Sequence, residues 1–179
     1  IYHSGTKQEC SHIVITTGVW SRNLMRESFG IDIPVTPLKG VTLTIKSHKK
    51  KKIKHNLWFK QIYIASRANN NLVVGATEED RGFDTKINLS DVYFLSKNIR
   101  ESLPFTDDLE IVDFKIGLRP GTYDGFPVIG NINSISKKII CAFGHYRHGV
   151  LLLPYTVDLV KNLIEGKENI SIFSPERFI

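Results

Sequence analysis

The stretch Ile139-Ile140-Cys141-Ala142-Phe143-Gly144-His145-Tyr146-Arg147-His148-Gly149-Val150-Leu151-Leu152-Leu153 decides how the rest of the chain is read. Five consecutive apolar residues, 139–143, suit a strand covered on both faces, as in a parallel sheet. Gly144 ends that run, and from Gly149 helical spacing continues to Ile164. The buried stripe of this helix reads as Leu153, Val157, Val160 and Ile164, and Gly166 stops it. Pro154 falls in an early turn or bends the helix. A strand-turn-helix junction directs unpaired backbone N–H groups, and the positive end of the helix dipole, to one place. Gly149 allows close approach to that backbone. The same spacing also describes an ordinary tight connection between a strand and a helix.

A second run of the same kind, Ile13-Val14-Ile15-Thr16-Thr17, ends at Gly18. A helix from Trp20 to Phe29 follows, with Ser21 as its cap and Gly30 as its stop. Ser4-Gly5-Thr6 reads as a turn between two short strands. Between the two apolar runs the period changes. Pro34 and Pro37 mark a crossing segment, and Val41, Leu43 and Ile45 then alternate with polar residues as a half-buried strand. Trp58–Ser66 and Leu72–Thr77 read as two more strands joined at Asn69-Asn70-Asn71. Ser90 caps a helix to Leu103, with Val92, Leu95, Ile99 and Leu103 on one stripe, and Pro104 ends it. Val112, Phe114, Ile116 and Leu118 alternate again. The expectation is an α/β (α+β) chain in which a sheet domain is interrupted by an inserted antiparallel one. The segments are 1–33, 34–118 and 119–179.

Composition narrows the function. The 179 residues are 41% hydrophobic and 23% charged, ordinary for a globular protein. No apolar run reaches the ~18 residues of a membrane span; the first residue is Ile1 rather than Met, and no signal-like pattern is expected in the opening residues. Cys10 and Cys141 give neither a disulfide framework nor a metal-ligand spacing, so no metal is expected and a reducing, cytoplasmic setting is. The net charge of +6 equals the six lysines Lys46, Lys49, Lys50, Lys51, Lys52 and Lys54. A nucleic-acid binder spreads its basic residues over a face with aromatics interleaved. Here the charge is one local run between two strands, which reads as a solvated loop rather than a nucleic-acid contact.

Three further features bear on chemistry. Arg119 closes an alternating strand and offers a planar fork matched to a carboxylate; spacing alone favours the plainer reading, a surface arginine paired with Asp124 or a neighbour. The turn Gly121-Thr122-Tyr123-Asp124-Gly125 follows it. Tyr63 is a phenol in a half-buried strand, either a substrate contact or an interfacial core residue. Glu78-Glu79-Asp80 reads as a solvated turn with no role.

Seven segments occur in an order that resembles the glycine oxidase and D-amino-acid oxidase family. They are IVITTGVWS (13–21), PLKG (37–40), YIASR (63–67), LVVGATEE (72–79), GLRPGTYDGFPVIG (117–130), GHYRHGVLLLP (144–154) and SPERF (174–178). The resemblance implies a Rossmann-like FAD-binding domain interrupted by an antiparallel substrate domain with helices. Residues 1–33 would be the end of the FAD-binding domain, 34–118 the substrate domain, and 119–179 the returning FAD-binding segment. It implies FAD as cofactor and hydride transfer from the Cα of glycine or another small amino acid to flavin N5, followed by imine hydrolysis. Thiazole formation in thiamine biosynthesis is a pathway consistent with that activity. D-amino-acid dehydrogenase and sarcosine oxidase activities are close variants. By the same resemblance Arg119 anchors the substrate carboxylate, Tyr63 assists, and Arg147 lies at substrate and flavin. His145, Tyr146, Arg147, His148, Gly149, Val150 and Leu151 line the isoalloxazine, the flavin edge receives N–H groups of His148, Gly149 and Val150, and Gly18 also meets the cofactor. No side chain is assigned as a catalytic base.

The chain departs from the family pattern in three places. His148 stands where relatives usually have Asn, YIASR replaces the commoner YIVPR, and no GxGxxG occurs anywhere. The expectation is therefore a partner: an N-terminal FAD-binding half, as a separate chain or a missing segment, without which the 179 residues do not hold FAD. A homo-oligomer is compatible with the family. A non-catalytic remnant is the alternative reading.

Overall fold

The computed structural model describes residues 2–3, 5–47, 53–167 and 172–179. In chain order the strands are β1 (Tyr2–His3), β2 (Thr6–Lys7), β3 (Ile13–Ile15), β4 (Val35–Lys46), β5 (Leu57–Trp58), β6 (Tyr63–Ser66), β7 (Asn71–Gly75), β8 (Glu79–Asp80), β9 (Ile111–Thr122), β10 (Val128–Ile132) and β11 (Ser136–Phe143). The helices are α1 (Ser21–Phe29), α2 (Leu89–Ser102) and α3 (Gly149–Ile164). The chain divides into two units, one of Ile1–Pro37 with Arg119–Ile179, the other of Leu38–Leu118.

In the first unit the sheet order is β10-β11-β3. The two apolar runs are neighbours and parallel, with Ile139 opposite Ile13, Ile140 opposite Val14 and Cys141 opposite Ile15. β10 joins β11 antiparallel; its sequence, Val-Ile-Gly-Asn-Ile, carries no alternation that announces a strand. Ile15, Val128, Ile132, Ile139, Cys141 and Phe143 form a core with Met25 of α1. Gly30 stops α1 in the left-handed conformation (φ 69°), its N–H donating to Arg26 O. Ser21 does not cap α1. A short 3-10 turn, Gly18–Trp20, runs directly into the helix, and the Ser21 hydroxyl is buried 2.9 Å from Thr17 Oγ1.

The apolar faces of α3 and β3 differ from those expected. α3 lies against β10 and β11 and buries Thr156, Leu159 and Leu163. The expected stripe faces the other way: Leu153 is 57% exposed, Val157 54% and Ile164 44%, with Val160 half-buried. Val14 of β3 is 38% exposed, so that run is not covered on both faces. Val14, Ala142, Leu153, Val157 and Ile164 line an open apolar groove of about 580 Å³. The helix is apolar on two sides, and spacing alone does not say which side meets the sheet.

The second unit is a sheet of order β5-β6-β7-β4-β8, with β9 also paired to β4. Val41, Leu43, Ile45, Ile64, Leu72 and Val74 are buried beneath Leu95 and Ile99 of α2. The single strand expected over 58–66 is a hairpin, β5 and β6, closed by the Phe59 N–H donating to Ile62 O at 2.8 Å. Asn88, not Ser90, begins α2, and its N–H donates to the Asp91 carboxylate at 2.8 Å. Pro37 lies within β4 rather than in a crossing segment. β9 continues past Arg119 to Thr122, so the turn there begins later than expected. Glu79 and Asp80 pair with Lys39 and Leu38 of β4 instead of forming a solvated turn. The central lysines, Lys49–Lys52, and Ser4 of the first turn lie outside the described residues.

Candidate functional site

Because β3 and β11 are parallel neighbours, their carboxyl ends lie on one edge of the sheet. Gly18 follows the first strand there and Gly144 the second. In open α/β sheets that edge is where ligands bind. Gly18 (φ 56°) opens the short turn into α1. Gly144 (φ 78°) must be glycine for a second reason: a Cβ on it would lie 2.9 Å from the Thr122 methyl of β9. The next tie to β9 is the Tyr146 N–H, which donates to Pro120 O at 3.0 Å. The strand carrying Arg119 is thus fastened to the turn that carries Arg147.

Within the turn, the His148 N–H donates to His145 O at 2.9 Å. His148 is therefore not a free backbone donor for a flavin edge, which corrects the expectation; the tight 145–148 turn already uses that group. The first i→i−4 bond of α3 runs from the Leu152 N–H to His148 O at 2.9 Å. The N–H groups of Gly149, Val150 and Leu151 precede it and have no acceptor within the helix. No side chain caps this helix start. Val150 and Leu151 are 91% and 76% exposed, so the three donors sit beside apolar side chains facing outward. Hydrogen-bond donors at a helix N-terminus, with apolar neighbours, suit the electron-accepting edge of a flat ring system.

His145 supports the turn from behind. The Thr156 hydroxyl donates to Leu152 O at 3.0 Å, so its 2.9 Å bond with His145 Nε2 is donated by the ring. Burial lowers the His145 pKa, which keeps that ring neutral. Arg147 is exposed, its Nη2 donating to the Tyr146 hydroxyl at 2.5 Å and its guanidinium 4.7 Å from that ring's centroid. Tyr146 accepts this arrangement in a left-handed backbone conformation (φ 52°).

Arg119 is half-buried in β9, one residue before the carbonyl that holds Tyr146. Asp124, the carboxylate a surface reading would pair with it, binds Arg177 at 2.6 Å. Tyr63 belongs to the other unit, in β6, opposite Trp58 and Gly75. Its ring is 5.4 Å from that of Trp58, and a Cβ on Gly75 would fall 2.5 Å from the phenol oxygen. Gly75 therefore leaves the space that the phenol fills.

One buried ionic cluster escaped the sequence reading. Lys39 and Asp91 are both fully buried and paired at 2.8 Å, with Glu79 at 3.8 Å from the same ammonium. The signal was present: Lys39 shares the inward parity of Val41, Leu43 and Ile45, and Asp91 lies one helical turn before Leu95. Cys141 is buried and its thiol is pushed up to about 12, so it is inert; Cys10 is exposed. Among the described residues no three His, Cys, Asp or Glu side chains gather as a metal site, and no helix is long and apolar enough to cross a membrane.

A family model described as FAD dependent oxidoreductase (DAO) matches residues 2–163. Glycine oxidase of Bacillus subtilis is 34% identical over 158 residues, covering 88% of this chain and 42% of its own length. The bifunctional protein ThiO/ThiG of Nostoc sp. is 34% identical over 166 residues, covering 91% and 24%. The crystal structure of glycine oxidase from Geobacillus kaustophilus matches with a TM-score of 0.85 and 30% identity over 94% of this chain and 46% of that one. The chain thus spans less than half the length of these relatives. With the family model matching nearly its whole length, the chain belongs to the DAO family of FAD-dependent oxidoreductases.

Proposed function

We propose that this chain provides the carboxylate anchor and the flavin-edge turn of an FAD-dependent enzyme that oxidatively deaminates glycine or another small amino acid. One observation carries the reading. Three backbone donors at the start of α3 open at the carboxyl edge of the sheet, and the Tyr146–Pro120 bond ties the Arg119 strand to the same turn. FAD, when bound, supplies the acceptor for the hydride that leaves the substrate Cα. Gly149, Val150 and Leu151 are suited to hold negative charge at the ring edge, and Gly18 lies on the same edge of the sheet. Arg119 binds the substrate carboxylate through its fork. His145 and Tyr146 fix the turn and Arg147 borders the substrate, while Tyr63 and the ring-lining place of His148 rest on the family resemblance alone. No side chain need act as base if the amine arrives neutral.

The open groove beside α3 supports a second element of the proposal. A segment carrying the dinucleotide fingerprint, in the same polypeptide or a separate one, covers Val14, Leu153, Val157 and Ile164. On this reading the first unit is the FAD-binding part and Leu38–Leu118 the substrate part. A role in thiamine (thiazole) biosynthesis, in the cytoplasm, follows by analogy with the ThiO/ThiG relative.

The test is Arg119→Ala in the flavin-loaded protein. Affinity for the amino-acid substrate should fall about 10–150-fold, roughly 1.5–3 kcal/mol, at unchanged flavin content. Arg119→Lys should restore part of it, because an ammonium does not make the paired bonds. Unchanged KM and kcat in Arg119→Ala would remove Arg119 from the site.

A further inference from the structure

The closing SPERF segment has no part in the function above, yet its arginine is bonded through all three of its side-chain nitrogens. Arg177 Nε donates to Asp124 at 2.6 Å. Nη1 donates to Phe173 O and Ser174 O at 2.8 and 2.9 Å, and Nη2 to Phe126 O and Pro127 O at 2.9 and 3.1 Å. Every N–H of the guanidinium has an acceptor. Partial burial opposes the charge on Asp124, but the bonds from Arg177 and the Phe126 N–H hold its carboxyl below the ordinary range.

The acceptors fall in two segments. Residues 173–174 belong to the C-terminal stretch, itself fixed to β10 by the Ile129 N–H donating to Phe173 O at 2.8 Å. Residues 124–127 form the link between β9 and β10. That link is tied to the candidate site by Thr122, and Val128 just after it also lies beside Gly144. The Thr122 hydroxyl donates to Phe126 O at 2.7 Å, and the Thr122 methyl meets Gly144 at the head of the turn.

We infer that Arg177 is a positioning residue for carboxylate recognition, holding through Thr122 the register between the Arg119 strand and the 144–149 turn. This rests on the proposed role of Arg119. A lysine cannot replace it, since one ammonium cannot meet a carboxylate and four carbonyls spread over two segments.

The probe is acetate, a carboxylate without the reacting amine, titrated by its perturbation of flavin absorbance in the flavin-loaded protein. Arg177→Lys should weaken acetate binding about 10-fold, the scale of a small misplacement in a site. Thr122→Val, which keeps the shape and removes the hydroxyl bond, should weaken it in the same direction. A merely structural arginine would lower the melting temperature and flavin yield while the loaded fraction bound acetate as before, and that result overturns the inference. If Arg177→Lys does not fold, Thr122→Val decides, and acetate affinity equal to the parent's overturns it. Arg119→Ala run in parallel separates the two claims. Should it bind acetate normally, the anchor reading fails and the inference falls with it. Should Arg119→Ala bind weakly while Arg177→Lys and Thr122→Val bind normally, the inference alone fails.

Discussion

The two units differ in whether their cores are closed. In Leu38–Leu118 the inward residues of β4, β6 and β7 are buried under Leu95 and Ile99, and even the charges of Lys39 and Asp91 are fully enclosed. In the other unit α3 buries Leu159 and Leu163 but shows Leu153, Val157 and Ile164 to solvent beside Val14. Apolar helical spacing coincides with the buried face of α2 but with the open face of α3. A buried stripe is set by what lies against a helix as much as by the helix itself, and spacing alone does not distinguish a covered apolar stripe from an open one.

The sharpest way to break this contrast is Asp91→Ala. It leaves the buried Lys39 ammonium with only Glu79, at 3.8 Å, and should cost about 3–5 kcal/mol in urea unfolding. Replacing Lys39 by Met and Asp91 by Leu together should cost less than Asp91→Ala, because the buried ammonium is gone and Glu79 keeps Arg81, although the Asn88 N–H loses its acceptor. The pair also predicts a pH dependence. Burial opposes ionisation of Asp91, but bonds from Lys39 and the Asn88 N–H outweigh it and lower its pKa. Its stabilisation is therefore fully present above the unfolded value of about 4 and is lost as pH falls through the lower folded value. Unfolding midpoints measured down from pH 5 that stay flat in the parent would contradict the ion pair.

A smaller effect separates the two faces of α3. Leu159→Ala should cost about 2–5 kcal/mol in this chain, whereas Val157→Ala should cost under about 0.5. Equal losses would mean that the groove is not open. With the covering segment present, Val157→Ala should become costly, which sharpens the same comparison. The smallest effect is expected in the lysine run: changing Lys49–Lys52 to Ser should alter stability by no more than about 0.5 kcal/mol. Tight DNA binding at about 150 mM salt, lost in that variant, would show instead that the run is a functional surface.

What was legible depended on whether the signal was local. The helix from Gly149 to Ile164 is found at both its ends, because glycine and periodicity mark it in the sequence. The α/β class follows from two apolar runs flanking an alternating block, and these runs do pair in parallel. Caps were misread at Ser21 and Ser90, where a preceding 3-10 turn and the Asn88–Asp91 pair supply what a serine would have offered. At the candidate site, the turn between β11 and α3 was readable from the strand-turn-helix pattern. That the His148 N–H is already taken was not, since one hydrogen bond inside a four-residue turn leaves no trace in residue spacing. Nor was the link between Arg177 and Asp124, which joins residues far apart in the chain.

The pairing of β3 with β11 has a consequence for the order of assembly. Ile13 and Ile139 must meet across roughly 125 intervening residues, and loop-closure entropy rises with that length. The inserted unit shortens the journey. Once Leu38–Leu118 has folded, most of the intervening chain is no longer a random loop, so the later encounter proceeds from a partly organised state. During synthesis β3 leaves the ribosome long before its neighbour exists, while every strand of the inserted unit finds its partners within that unit. Released chains truncated near residue 125 should therefore protect the amides of β7 from exchange and leave those of β3 unprotected.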